Sequence, residues 1–341
     1  MKKISKSKLY KKFQKRLKAF QARRPHRSFR RTLRRDYDRS LKLPSYLGFS
    51  KYVFNILWKN RKTFLLLALV YAILTAMMVG MASQNTFTSL KETLDSTGGD
   101  ILKGNFGAIG KAGLLFVATI TGSASEEMTE IQQVYSIILI LLAWLSSVWL
   151  LRNILAGNKV KMRDGLYSSG SPIISTFFVA MLFIVQLLPA SLAVIAYSAA
   201  SSTGLLANGI EAMLFWIAAG LLVVMSLYLI TSTFFALIIV TLPGMYPSNA
   251  IRAAGDLVVG RRLRILARIL WMLIGVAIAW VLITLPAILI DSWLKGLWKA
   301  IDWIPTIPVI ILALSSLTVI WISAYIYLLY RKVVEDESAP A

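Results

Sequence analysis

Six long apolar runs alternate with polar and basic stretches along this chain, and their lengths set its architecture. A helix needs ~20 mostly apolar residues to cross a bilayer. Residues 63–82, 131–151, 172–198, 211–242, 266–290 and 304–330 meet that requirement. The pattern predicts an all-α polytopic membrane protein: a preceding segment 1–62, six transmembrane helices over 63–330, and a short tail 331–341. The fourth run is long enough to tilt or to extend past the bilayer. The first follows 62 other residues and exceeds the ~7–15 residues of a signal h-region, so it reads as a retained anchor.

Spacing within the runs adds detail. Ala68, Ala72, Ala76 and Gly80 recur every fourth position, and Gly275 with Ala279 repeats the motif more briefly. Small residues at that spacing let helix backbones approach closely. They predict packing faces against other spans, with a homodimer face as the alternative. The third run contains LPASL and the fifth LPAIL, each late in its run and each preceded by a basic loop and another run. The second and third spans therefore read as one hairpin, and the fourth and fifth as its parallel copy. Pro189 and Pro286 are expected to kink their helices. Between the fourth and fifth runs, Ala250, Ala254, Leu257 and Val258 form an apolar helical stripe with Arg252 and Asp256 elsewhere on the wheel. They predict a short helix lying in the membrane interface, with the chain restarting near Gly260. Ser123 and Glu126 have capping-box spacing at the start of the second helix.

Charge changes the picture at one end. The chain is 57% hydrophobic, with a mean hydropathy of +0.66, yet carries a formal charge of +22. Residues 1–62 hold 22 basic and two acidic residues, while the rest is nearly balanced at 16 against 14. With both termini on one side, 11 of the remaining basic residues fall on that side and five on the other. The positive-inside rule then makes that side cytoplasmic, in an inner or plasma membrane. Trp293, Trp298 and Trp303 suit an interfacial belt on the opposite side.

Leu9, Phe13, Leu17 and Phe20 lie on one helical face, ringed by Lys11, Lys12, Lys15 and Arg16. Arg23 and Arg24 precede a proline, and Arg30, Arg31, Arg34 and Arg35 follow. Residues 45–62 mix aromatics and leucine with lysine, the composition of an interfacial helix. These cations, with Arg261 and Arg262 after the fourth span, are the candidates for contacting lipid phosphate. Anionic headgroups attract such residues at ~1 kcal/mol each. Nucleic acid or the ribosome would attract them too, by counterion release. A specific protein partner is the third alternative for an arm that is otherwise disordered or surface-bound.

Chemistry is sparse. There is no cysteine, and the single histidine, His26, has no companion ligand. Gly104, Gly107 and Gly110 before Lys111 imitate a phosphate loop, but the spacing fails and Ala112 stands where Ser or Thr is needed. Glu211 and Asp291 sit at span edges without a partner at local spacing. No catalytic residue, metal site or cofactor is expected. Gln186, Ser226, Thr231, Ser232 and Thr233 are the polar groups within the spans, suited either to interhelical hydrogen bonds or to lining a cavity.

Residues 247–262, with the pattern P-x-x-A-I-x-x-A-x-D-L-V-x-G-R-R, resemble the segment after the fourth span in the glycerophosphodiester-phosphodiesterase membrane-domain family and its uncharacterised inner-membrane relatives. The stretches AGNKVKMRDGLYSSGSP and WKNRKTF resemble the corresponding earlier connections. The likeness extends over roughly residues 50–330 and departs at Ala254, where serine is commoner, and in the long basic arm. In that family the phosphodiesterase chemistry belongs to a separate soluble barrel. The chain continues only nine residues beyond Lys332, so the expectation is that no barrel follows. The resemblance implies a six-helix fold and no activity. The expected role is a non-catalytic membrane-organising, adaptor or accessory protein. A permease or channel for a weakly polar or lipid-like solute is one alternative, and a tether for ribosomes or nucleic acid another.

Overall fold

The computed structural model describes residues 43–80, 129–203, 206, 209–298 and 306–338. Among these residues there are nine helices and no strand. They are α1 (Tyr46–Lys59), α2 (Arg61–Met78), α3 (Glu130–Leu155), α4 (Met162–Ser168), α5 (Ile173–Ser202), α6 (Gly209–Ile239), α7 (Pro247–Val258), α8 (Arg262–Leu297) and α9 (Thr306–Ser338). Six of them, α2, α3, α5, α6, α8 and α9, are long and apolar enough to cross a membrane, which makes this a multi-pass membrane protein.

Local chemistry sets the boundaries. Asn60 leaves helical geometry, and its side-chain amide donates to the Ile56 carbonyl at 3.0 Å, so α1 stops and α2 begins at once. At the far end of α2, Gly80 adopts a left-handed φ of +94°, which favours glycine. Gly80 therefore lies past the helix end and is not on the packing face predicted for it. Ala68 on that face is buried, and Ala72 and Ala76 are half-buried, where α2 packs on α9 and α3. Thr129 caps α3: its hydroxyl accepts from the Gln132 amide at 3.3 Å, and the Gln132 side chain accepts from the Thr129 amide at 3.0 Å. The Ser123–Glu126 pair lies outside the described residues. α9 continues past Tyr330, and Glu335 pairs with Arg331 and Lys332 on its final turns.

The two expected hairpins share one order: long helix, short helix, long helix containing a proline. In the first, α4 sits so close to α3 that a Cβ on Gly165 would stand 2.7 Å from Leu150 Cγ. In the second, α7 buries Ala250, Ala254 and Val258 completely and exposes Arg252 and Asp256. The chain does not simply pass from α6 to α8 along the interface. α7 doubles back along α6, so that Arg262, just beyond it, reaches the Tyr228 carbonyl well before the end of α6. Gly260, at φ +77°, makes the turn into α8.

Packing is uneven along the bundle. At one end α1, the starts of α2, α5 and α8, and the ends of α3, α6 and α9 come together. Phe49, Leu67, Leu150, Phe235, Ile265 and Tyr325 are all fully buried there. Farther along α5 and α6, Leu192, Ile195, Ile210 and Met213 are each more than half exposed. The long apolar run of α6 thus has two uses. Its last turns bury Phe235, Ala236 and Ile238 in protein, and its earlier turns are free to meet lipid.

Candidate lipid-contacting site

α1 presents two faces. Phe49 and Val53 point inward, and the Phe49 ring meets Tyr325 of α9 edge-on at 4.8 Å. Leu47, Lys51, Phe54 and Trp58 form an exposed stripe at spacings of four, three and four. Phe54 stacks on Trp58 at 5.5 Å, and the Arg61 guanidinium lies 5.1 Å from the Trp58 ring centre. Exposed aromatics interleaved with Lys51, Lys59, Arg61 and Lys62 give a surface whose rings suit the headgroup boundary and whose cations suit phosphate.

A single arginine fixes this helix. Arg268, inside α8 and 7% exposed, donates to the carbonyls of Pro44 and Ser45, the residues just ahead of α1. Its guanidinium also lies 4.2 Å from the Tyr46 ring centre. One turn on, Trp271 Nε1 donates to the Ser50 hydroxyl at 3.2 Å. Arg268 was legible only as a cation two residues inside the fifth apolar run. Its partner 223 residues earlier has no sequence signal.

The two arginines after the fourth span, Arg261 and Arg262, behave differently. Arg261 is 4% exposed and donates to the Val333 carbonyl of α9, so it braces the bundle and does not face lipid. Arg262 is half-buried; it donates to the Tyr228 carbonyl at 3.0 Å and stacks 3.9 Å from that ring. The remaining phosphate candidates, Lys11, Lys12, Lys15, Arg16, Arg23, Arg24, Arg30, Arg31, Arg34 and Arg35, lie outside the described residues, as do the 104–112 glycine segment and Trp303.

The polar groups within the spans pair helices. Thr233 donates to Gln186 Oε1 at 2.5 Å, joining α6 to α5. The Ser226 hydroxyl accepts from the Ala190 amide at 3.0 Å. That amide follows Pro189, where the ring removes one N–H and displaces the carbonyl a turn earlier. Thr231 and Ser232 donate to carbonyls of their own helix, at Leu227 and Leu229. Asp291 accepts from the Thr306 hydroxyl across the α8–α9 connection.

Among the described residues, no helix packs closely on Gly275 and Ala279. Both are exposed, and a Cβ on Gly275 would meet nothing within 4 Å. They line an apolar groove of about 370 Å³ between α1, α8 and α9, walled by Trp271, Trp280 and Trp321. Trp280 is held by its Nε1 donating to Thr318 at 2.9 Å.

A second network was missed in the sequence because its members are far apart. The Tyr71 hydroxyl, the Ser146 hydroxyl and the Ser169 hydroxyl are bonded in series at 2.9 Å each, tying α2, α3 and the end of α4. Among the described residues no group of three or more His, Cys, Asp or Glu could hold a metal ion. Compared with known protein families, curated proteins and solved structures, the chain matches none of them.

Proposed function

We propose that this protein is a non-catalytic membrane organiser whose basic N-terminal arm gathers anionic lipid on the cytoplasmic face of an inner or plasma membrane. The observation that supports the reading is the docking of α1. Arg268 and Phe49 hold the base of the arm against the bundle, while Trp58, Phe54 and the neighbouring cations stay exposed. An arm that ends at that position starts beside the six spans, so its cations are tethered near the bilayer surface. Its cations add ~1 kcal/mol each near an anionic surface, and the interaction is screened as salt rises. The hydrogen-bonded pairing of Gln186 with Thr233 and of Ser226 with Ala190 fits a packed scaffold better than a permease lined by those groups.

The test compares the full chain with a variant lacking residues 1–42, both in nanodiscs. Binding to added liposomes containing phosphatidylglycerol should be strong for the full chain and lost in the variant, and RNA should compete poorly. Equal liposome binding by both proteins overturns the reading. Preferential RNA binding would favour the nucleic-acid tether instead.

A further inference from the structure

We propose that a cleft among α3, the α4–α5 junction and the α6–α7 turn binds the phosphate of an anionic phospholipid headgroup, apart from the arm. The cleft has a volume of about 440 Å³. Its one charged lining residue is Arg152, and no acidic residue lines it. Arg152 stands at the last turn of α3 and gives two hydrogen bonds to Thr241, to the carbonyl at 3.1 Å and the hydroxyl at 2.5 Å. The Tyr327 hydroxyl of α9 is a further partner of the guanidinium; with five N–H donors, the group is oriented by these contacts and not exhausted by them.

Sharing the cleft with Arg152 are Ser168, Ser171 and Ser175, whose hydroxyls make no hydrogen bond within the protein. Ser171 and Ser175 flank the start of α5, where the Ile173 amide already bonds the Gly170 carbonyl at 3.1 Å, leaving the amides of Ile174 and Ser175 without intrahelical acceptors, and where the helix dipole favours an anion. An arginine, three unengaged hydroxyls and a helix start converging on one cavity form a donor set suited to a phosphate's several acceptor oxygens.

Two features choose a lipid over free phosphate. The rest of the lining is largely apolar, with Trp149 as its largest member. On the same first turns of α5, Ile174 is 69% and Phe178 57% exposed, so lipid-facing surface begins beside the cleft's serines. The cleft therefore lies where a headgroup would sit above its own acyl chains.

The test uses the full chain in nanodiscs at about 0.5 M salt, where a Debye length near 4 Å silences the exposed arm. A photoactivatable phosphatidylglycerol is compared with the matching diacylglycerol, which lacks phosphate. Phosphatidylglycerol should label peptides around Ser171 and Met245, and diacylglycerol should not. Arg152→Gln and Ser171→Glu should each lower that labelling about tenfold or more, the loss expected for a charge-assisted hydrogen bond. Arg163→Gln, at an exposed arginine of α4, should leave it unchanged. Ser171 is exposed and unbonded, so its variant is expected to fold even where Arg152→Gln does not. Equal labelling by diacylglycerol, or full labelling of a folded Ser171→Glu protein, overturns the proposal. Loss of labelling in excess inorganic phosphate would make free phosphate the ligand and overturn the lipid assignment.

Discussion

Arg268 donates to the Ser45 carbonyl at 3.2 Å, closing a contact between residues 223 positions apart. With Pro44 as a second acceptor, the planar guanidinium holds the chain immediately before α1. Lysine has the charge but not the fork. Arg268→Lys and Arg268→Gln should both speed hydrogen exchange in residues 46–59 while leaving α3 and α9 protected. Hydrogen bonds to a charged donor are worth about 1.5–3 kcal/mol, so roughly tenfold faster exchange is expected. Unchanged exchange in α1 would show that Phe49 and Trp271 hold it without Arg268.

Ser146 is the middle of the Tyr71–Ser146–Ser169 series and is completely buried. Tyr71→Phe removes one bond and leaves the two serines paired, so a cost of ~0.5–1.5 kcal/mol is expected. Ser146→Ala strands two buried hydroxyls and should cost more, on the order of 1–3 kcal/mol. Thermal unfolding in detergent should therefore rank the variants with Ser146→Ala lower. The reverse order would mean the series is not cooperative in stability.

Gly165 and Gly255 are both helical glycines with opposite surroundings. A methyl on Gly165 would collide with fully buried Leu150, whereas one on Gly255 meets nothing within 4 Å. Overpacking typically costs ~1–3 kcal/mol, and an unhindered Gly→Ala in a helix gains up to about 1 kcal/mol. Gly165→Ala should lower the melting temperature and Gly255→Ala should raise it. A stabilised Gly165→Ala protein would show that α4 does not pack on Leu150 as described.

Ser226 accepts the Ala190 amide next to Pro189, which ties a proline in α5 to a hydroxyl in α6. The two sites should be energetically coupled. Ser226→Ala is expected to cost about 0.5–1.5 kcal/mol in the native background and much less alongside Pro189→Ala, where the α5 ladder can close. A double-mutant cycle read by unfolding measures the difference. Strict additivity would remove Pro189 as the reason for the contact.

The membrane class and the six long helices were legible because length and apolarity alone decide whether a helix can span. α7 was legible too, since Ala250, Ala254 and Val258 share a face and Gly260 marks the turn. Direction was not. Arg261 and Arg262 are adjacent cations, yet one turns into the bundle and the other stacks on Tyr228, a difference set by α9 and α6. Gly275 and Ala279 have the spacing that permits close packing, and among the described residues that spacing opens onto a groove. The polar groups of α5 and α6 carried the same ambiguity. Only the facing helix shows that Gln186 answers Thr233.

The contrast between a consolidated end and sparsely braced opposite halves of α5 and α6 distributes mechanical compliance unequally. A thicker or thinner bilayer exerts its mismatch force on every span, at fractions of a kcal/mol per Å. The interlocked arginines and hydroxyls would transmit little of it. The exposed stretches around Leu192 and Met213, where Tyr197 of α5 meets Phe215 and Trp216 of α6, would yield first, by tilting together as a pair. Bilayer thickness would thus reshape the exposed halves of α5 and α6 while the consolidated end kept its form.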